Sequence, residues 1–109
     1  ELTHSRHAPE YEICIGTDPE HTPSWLRDSA VGAFEAEGFR VAIDRPFAGA
    51  LVPMAFYRRD RRVLALMVEV NRGLYLDERS GVRLAVFEQL RSRLTRALEA
   101  IAGSLRPFP

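Results

Sequence analysis

Glu69, Asn71 and Arg72 close an apolar run, Leu64-Ala65-Leu66-Met67-Val68-Glu69-Val70-Asn71-Arg72. A carboxylate beside an amide and a guanidinium suits acid/base work on a small acidic substrate. The carboxylate moves a proton while the other two groups hold a substrate carboxylate or an oxyanion. An acid inside an apolar run is costly to bury unless something pairs with it, so Glu69 asks for a chemical reason. A structural carboxylate paired with an arginine is the competing reading. Asp18 and His21 stand in the loop Thr17-Asp18-Pro19-Glu20-His21, and Arg45 opens Arg45-Pro46-Phe47-Ala48-Gly49-Ala50. For His21 a loop hydrogen-bonding role competes with substrate contact; for Arg45 a salt bridge at a strand end does.

Other polar or reactive groups carry less. Cys14, in Glu12-Ile13-Cys14-Ile15-Gly16, reads as a small buried apolar residue, and a single cysteine excludes an internal disulfide framework. His4 and His7 have the spacing of a metal pair on one helical turn, but Pro9 and the lack of an apolar face argue for a solvated loop. Arg58-Arg59-Asp60-Arg61-Arg62 offers positive charge without interleaved aromatic residues, so it reads as a solvated turn rather than a nucleic-acid surface.

The elements that must position these residues follow from periodicity. Residues 11–16 read as a strand. Thr22 is placed as an N-cap with Pro23 at the first helical position, and a helix to about Glu37 shows Leu26, Ala30, Ala33 and Phe34 on one face. Gly38 ends it, and residues 39–44 read as the next strand. Strand, helix, strand is a βαβ unit with parallel neighbours. Residues 52–57 are ambiguous, 63–71 form the strongest strand, and 74–80 read as a loop or bend. A last helix over about 81–102 shows a stripe of Val86 or Phe87, Leu90, Leu94, Ala97, Leu98 and Ile101, with Arg83, Arg91, Arg93 and Arg96 mostly off it. The expectation is an α/β fold with a mostly parallel sheet flanked by helices. Strand ends at Gly16, Asp44 and Asn71 would then lie together at one sheet edge, gathering Asp18, His21, Arg45, Glu69, Asn71 and Arg72 around one crevice.

The 109 residues suit a single small domain, and 46% hydrophobic content supports a core. The formal net charge is zero, and all 15 basic residues are Arg. No global field points to nucleic acid or an anionic membrane. No apolar run reaches membrane-spanning length and no secretory signal is visible, so a cytoplasmic location is expected.

Five blocks resemble the N-formylglutamate amidohydrolase family: Ile13-Cys14-Ile15-Gly16-Thr17-Asp18, His21-Thr22-Pro23, Arg45-Pro46-Phe47-Ala48-Gly49, Met67-Val68-Glu69-Val70-Asn71-Arg72 and Leu74-Tyr75-Leu76-Asp77. They occur in the family's order and cover most of residues 11–80. Two departures bear on substrate preference: Asp44 precedes Arg45, and Ala48 stands where members have Ser. The resemblance implies a zinc-dependent hydrolase with a partial phosphorylase/hydrolase-like (zinc carboxypeptidase-like) fold, which cleaves the C–N bond of an N-formyl or N-acyl amino acid. It implies that Glu69 is the general base, and that Arg45 and Arg72 contact a substrate carboxylate or oxyanion. Asn71 and Tyr75 are weaker candidates, with Asp18 and His21 beside them. It also implies that zinc is expected for the full-length enzyme, whose metal-ligating segments lie upstream, so no residue here is assigned to metal.

The chain is accordingly expected to be the C-terminal part of a larger catalytic domain, inactive alone, its sheet completed by the missing N-terminal segment or by another chain. Its substrate would be a small acidic N-acyl amino acid, with neither nucleic acid nor membrane as partner. The alternative is a non-catalytic α/β binding or scaffold domain that has lost the metal site.

Overall fold

Ile13 and Ile15 alternate with Cys14 and Gly16 along strand β1 (Ile13–Gly16), and all four are buried. The computed structural model describes residues 11–74, 76–77, 80, 82–83 and 85–105. Helix α1 (Ser24–Ala36) lays Leu26, Ala30 and Phe34 on the Ile13/Ile15 side of the sheet. Gly38 (φ 87°) makes the left-handed turn after α1 that glycine adopts without steric cost. Strand β2 (Val41–Ile43) then pairs parallel with β1, with Ile13 opposite Val41 and Ile15 opposite Ile43. The βαβ unit read from the sequence is therefore present.

The third strand runs the other way. β3 (Met67–Val70) pairs antiparallel with β1, with Ile13 opposite Val70, Cys14 opposite Glu69 and Gly16 opposite Met67. The three-stranded sheet has the order β2-β1-β3 and is mixed, which corrects the expectation of a mostly parallel sheet. The physical reason lies in the connection. Residues 44–66 hold turns but no helix, so nothing there forms the crossover that a parallel neighbour requires. β3 is also shorter than expected. Residues 63–66 stay irregular because the loop before α1 takes the backbone groups of Ala65: the Thr22 hydroxyl donates to Ala65 O at 2.6 Å, and the Ala65 amide donates to His21 O at 2.9 Å.

That use of Thr22 displaces its expected role. Its hydroxyl also accepts from the Asp18 amide at 2.8 Å, so it is not free to cap α1, and Pro23 occupies the N-cap position without a side-chain bond. A 3-10 turn (Arg72–Leu74) follows β3, and β4 (Leu76–Asp77) pairs antiparallel with β5 (Val82–Arg83). Because residues 82–83 sit in that ladder, helix α2 (Phe87–Gly103) begins later than the expected start near residue 81, at the first residues of its apolar stripe.

α2 packs on α1 and buries Leu90, Ala97 and Ile101 into the same core as Phe34 and Phe39, while Leu98 stays half exposed. Full burial of a side chain such as Phe34 or Ile15 contributes roughly 1.5–3 kcal/mol. Arg93 ties the two helices. Its Nε and Nη2 donate to Glu37 O at 2.9 and 2.7 Å, at the C-terminus of α1, and its guanidinium lies 4.0 Å from the Phe39 ring centroid. Among the described residues no helix is long and apolar enough to cross a membrane.

Candidate functional site

Antiparallel pairing sets the geometry of the other sheet face. Cys14 and Glu69 are directly opposed, so their side chains share a face, the one turned away from Ile13 and Ile15. Ala42, opposite Cys14 on β2, belongs to that face too. The loop after β2 folds back over it. Asp44 starts the loop at φ 58°, a left-handed position that Asp tolerates. Its carboxylate accepts from the Thr17 amide at 2.8 Å and the Thr17 hydroxyl at 2.7 Å, and its own amide donates to Ile15 O at 2.8 Å. Further along, the Cys14 thiol donates to Phe47 O at 3.3 Å. Gly49 O rests so close to Gly16 that a side chain there would strike it.

Beside this loop lies an open groove of about 410 Å³, lined by Tyr11, Phe47, Glu69, Val70, Asn71 and Arg72. Its described lining carries one carboxylate, Glu69, and one guanidinium, Arg72. Asn71 works inside the wall. Its Nδ2 donates to Tyr11 O at 3.2 Å and its Oδ1 accepts from the Gly73 amide at 2.9 Å. This shapes the turn that carries Arg72, which is exposed. Burial, then the Glu69 carboxylate, then the Cys14 thiol raise the pKa of the Tyr11 phenol above its ordinary value. It is therefore a neutral hydroxyl at neutral pH.

Asp18 and His21 are elsewhere. The strand ends at Gly16 and Asn71 point to opposite ends of the sheet, because β3 runs against β1; the single crevice expected from a parallel sheet does not form. Asp18 is buried, with Oδ1 accepting from the Glu20 amide at 2.8 Å and the His21 amide at 3.1 Å. His21 is 0% exposed. Its Nδ1 donates to Val63 O at 2.8 Å, its Nε2 accepts from the Arg58 amide at 3.0 Å, and its ring stacks on Tyr57 with centroids 6.0 Å apart. Both ring nitrogens are thus committed to holding the 57–65 segment against the loop before α1. Arg45 is exposed at the head of the folded loop and is outside the groove lining.

Tyr11 and Phe47 were not among the sequence candidates. Phe47 stood in the quoted loop motif, but only the strand register puts it over Cys14 and beside Glu69. Tyr75, His4 and His7 lie outside the described residues. Arg58, Arg59, Arg61 and Arg62 are all exposed, and Arg62 forks onto Asp60 at 2.9 and 2.8 Å. That fork holds the Asp60 carboxyl at about 2, well below the usual carboxylate range.

The described residues do not fit a metal centre. Among them no group of three or more His, Cys, Asp or Glu side chains is placed to hold a metal ion. The one described histidine spends both nitrogens on backbone groups.

A mixed α/β sheet with a carboxylate on its loop-covered face defines an α/β protein with an acid-centred groove. The chain belongs to the N-formylglutamate amidohydrolase family, whose sequence model matches residues 2–76. No curated protein matches it by sequence. Among solved structures it is similar to the crystal structure of N-formylglutamate amidohydrolase from Ralstonia eutropha JMP134, with a TM-score of 0.68 and 22% sequence identity. The match covers 88% of this chain and 36% of that one. At that identity the likeness is one of fold, and the chain spans little more than a third of the neighbour's length.

Proposed function

We propose that the chain carries the general base and the substrate groove of an amidohydrolase that cleaves the amide C–N bond of an N-formyl or N-acyl amino acid. Family membership supports the reaction class. The observation that carries the residue roles is Glu69 in one open groove with Arg72. In this reading the Glu69 carboxylate takes a proton from water as its oxygen adds to the acyl carbon. The C–N bond then breaks, and Glu69 returns the proton to the leaving nitrogen, giving formate and a free amine when the acyl group is formyl. Arg72 holds the substrate carboxylate through charge-assisted hydrogen bonds. Asn71 positions Arg72 through the turn that it caps. Asp18, His21 and Thr22 support the scaffold and are given no substrate contact.

Zinc and a carboxypeptidase-like catalytic domain belong to the same proposal and rest on the family resemblance. Because the described residues make no ligand set, no step above runs through a metal. In the full-length protein the sheet would continue at an edge strand, β2 or β3, with further residues of the same protein or with another chain.

The test is formate release from N-formyl amino acids by the full-length protein, wild type against Arg72→Ala. A KM raised at least about tenfold, the scale of one lost charge-assisted contact, supports the assignment. An unchanged KM removes Arg72 from the site.

A further inference from the structure

Arg72 is exposed on an open groove, and a long side chain in that setting is costly to order on a ligand. The structure places a second donor beside it. We propose that the Tyr11 phenol binds substrate, donating a hydrogen bond to the same α-carboxylate that Arg72 pairs with, so that the two side chains close a clamp on that group. The inference rests on the amidohydrolase reading and adds a residue to its substrate site.

Register gives the first argument. The β1–β3 ladder sets Ile13 opposite Val70. One step on, the Asn71 amide donates to Glu12 O at 3.0 Å, so the pairing continues past the strand ends. The next step brings Tyr11 alongside Arg72, and both line the groove that holds Glu69.

Asn71 gives the second. Its Nδ2 donates to Tyr11 O at 3.2 Å, and its Oδ1 accepts from the Gly73 amide at 2.9 Å. One side chain thereby ties the backbone of Tyr11 to the turn that carries Arg72. The spacing of the two donors is set before a ligand arrives, which lowers the cost of binding.

Chemistry gives the third. A carboxylate has two oxygens and about four lone-pair sites, so it accepts from a guanidinium and a hydroxyl together. Tyr11 is half-buried. A tyrosine in a groove wall keeps a polar tip for the wet side and has few torsions to order. Its phenol stays protonated at neutral pH, because burial, then the Glu69 carboxylate, then the Cys14 thiol oppose its ionisation. It therefore meets an anion as a donor. Tyr11, Glu69, Asn71 and Arg72 make the described lining mostly polar, which suits gripping the α-carboxylate, a group common to every N-acyl amino acid.

The experiment measures Kd by calorimetry for N-formylglutamate and for its α-amide, in which the α-carboxylate alone is neutralised. It uses full-length Glu69→Gln, with and without Tyr11→Phe or Arg72→Ala. Tyr11→Phe keeps the ring and removes only the hydroxyl. It should weaken N-formylglutamate about tenfold, the scale of one hydrogen bond to an ionised group, and change the α-amide less than about twofold. Arg72→Ala should show the same pattern. In Glu69→Gln alone, the acid should bind at least about tenfold more tightly than the amide. Equal Kd for acid and amide there overturns the proposal, however the further variants fold. A Tyr11→Phe effect that is absent, or equal for both ligands, overturns it too. Formate release by the wild type tests the underlying reading separately. If the Kd pattern holds and the wild type releases no formate, the hydrolase reading fails and the clamp stands. If formate is released and Tyr11→Phe leaves the Kd of the acid unchanged, the clamp fails and the hydrolase reading stands.

Discussion

Replacing His21 with alanine separates a structural histidine from a substrate ligand. The ring is fully buried and carries two hydrogen bonds, from Nδ1 to Val63 O and from the Arg58 amide to Nε2. Each such bond contributes about 1 kcal/mol net, and a partner left unsatisfied in a half-buried site adds about 1–3 kcal/mol. Val63 is half-buried and keeps that penalty, whereas Arg58 is exposed and its amide regains water. The expected loss is therefore about 3–5 kcal/mol, a large fraction of a small domain's stability. Urea unfolding of the wild type and His21→Ala measures it as a lower midpoint at unchanged slope. Amide exchange at Arg58 and Ala65 should accelerate as well, since the first is bonded to the ring and the second to the His21 carbonyl. A variant within about 0.5 kcal/mol of wild type that has lost activity would refute this reasoning and return His21 to the substrate.

Gly16→Ala pushes a Cβ into Gly49 O and Met67; overpacking of this kind costs about 1–3 kcal/mol, visible in urea unfolding, and it should lower turnover by lifting the loop that holds Phe47. Arg45→Ala should raise KM less than about threefold, against at least tenfold for Arg72→Ala, because Arg72 alone of the two lines the groove; the reverse order would move the carboxylate contact to the loop. Tyr11 has a raised pKa in the folded protein, so the folded state binds its proton more tightly than the unfolded chain does. The associated stability is whole below the ordinary tyrosine range, near pH 10, and is lost as pH rises through the folded value. Alkaline unfolding should be shallower in Tyr11→Phe and in Glu69→Gln; identical profiles for all three proteins would deny the Tyr11–Glu69 proximity.

The first half of the fold is legible because its signals are local. Leu26, Ala30 and Phe34 recur at helical spacing, Gly38 marks the stop, and a helix between two strands forces them parallel. β3 is different. An apolar run such as Met67–Val70 carries no mark of its direction, and with no helix in residues 44–66 the sequence offers no crossover to decide it. That one reversal splits the expected crevice. Glu69, Asn71 and Arg72 remain together because they are neighbours in the chain, while Asp18 and His21 fall at the far end of β1. Thr22 shows the same limit at a smaller scale: Thr-Pro before a helix reads as a cap, and only the approach of Ala65 diverts its hydroxyl. Cys14 was legible as a buried residue, but its bond to Phe47 spans 33 positions and depends on the loop folding back.

The central claim is that Glu69 is the base, and Glu69→Gln in the full-length protein tests it most directly. The substitution keeps the side chain's size and removes its ability to accept a proton. Formate release from an N-formyl amino acid should fall by about 10²–10⁴-fold, with the urea midpoint of the wild type retained. A turnover rate equal to wild type would contradict the account and leave Glu69 a structural carboxylate opposite Cys14.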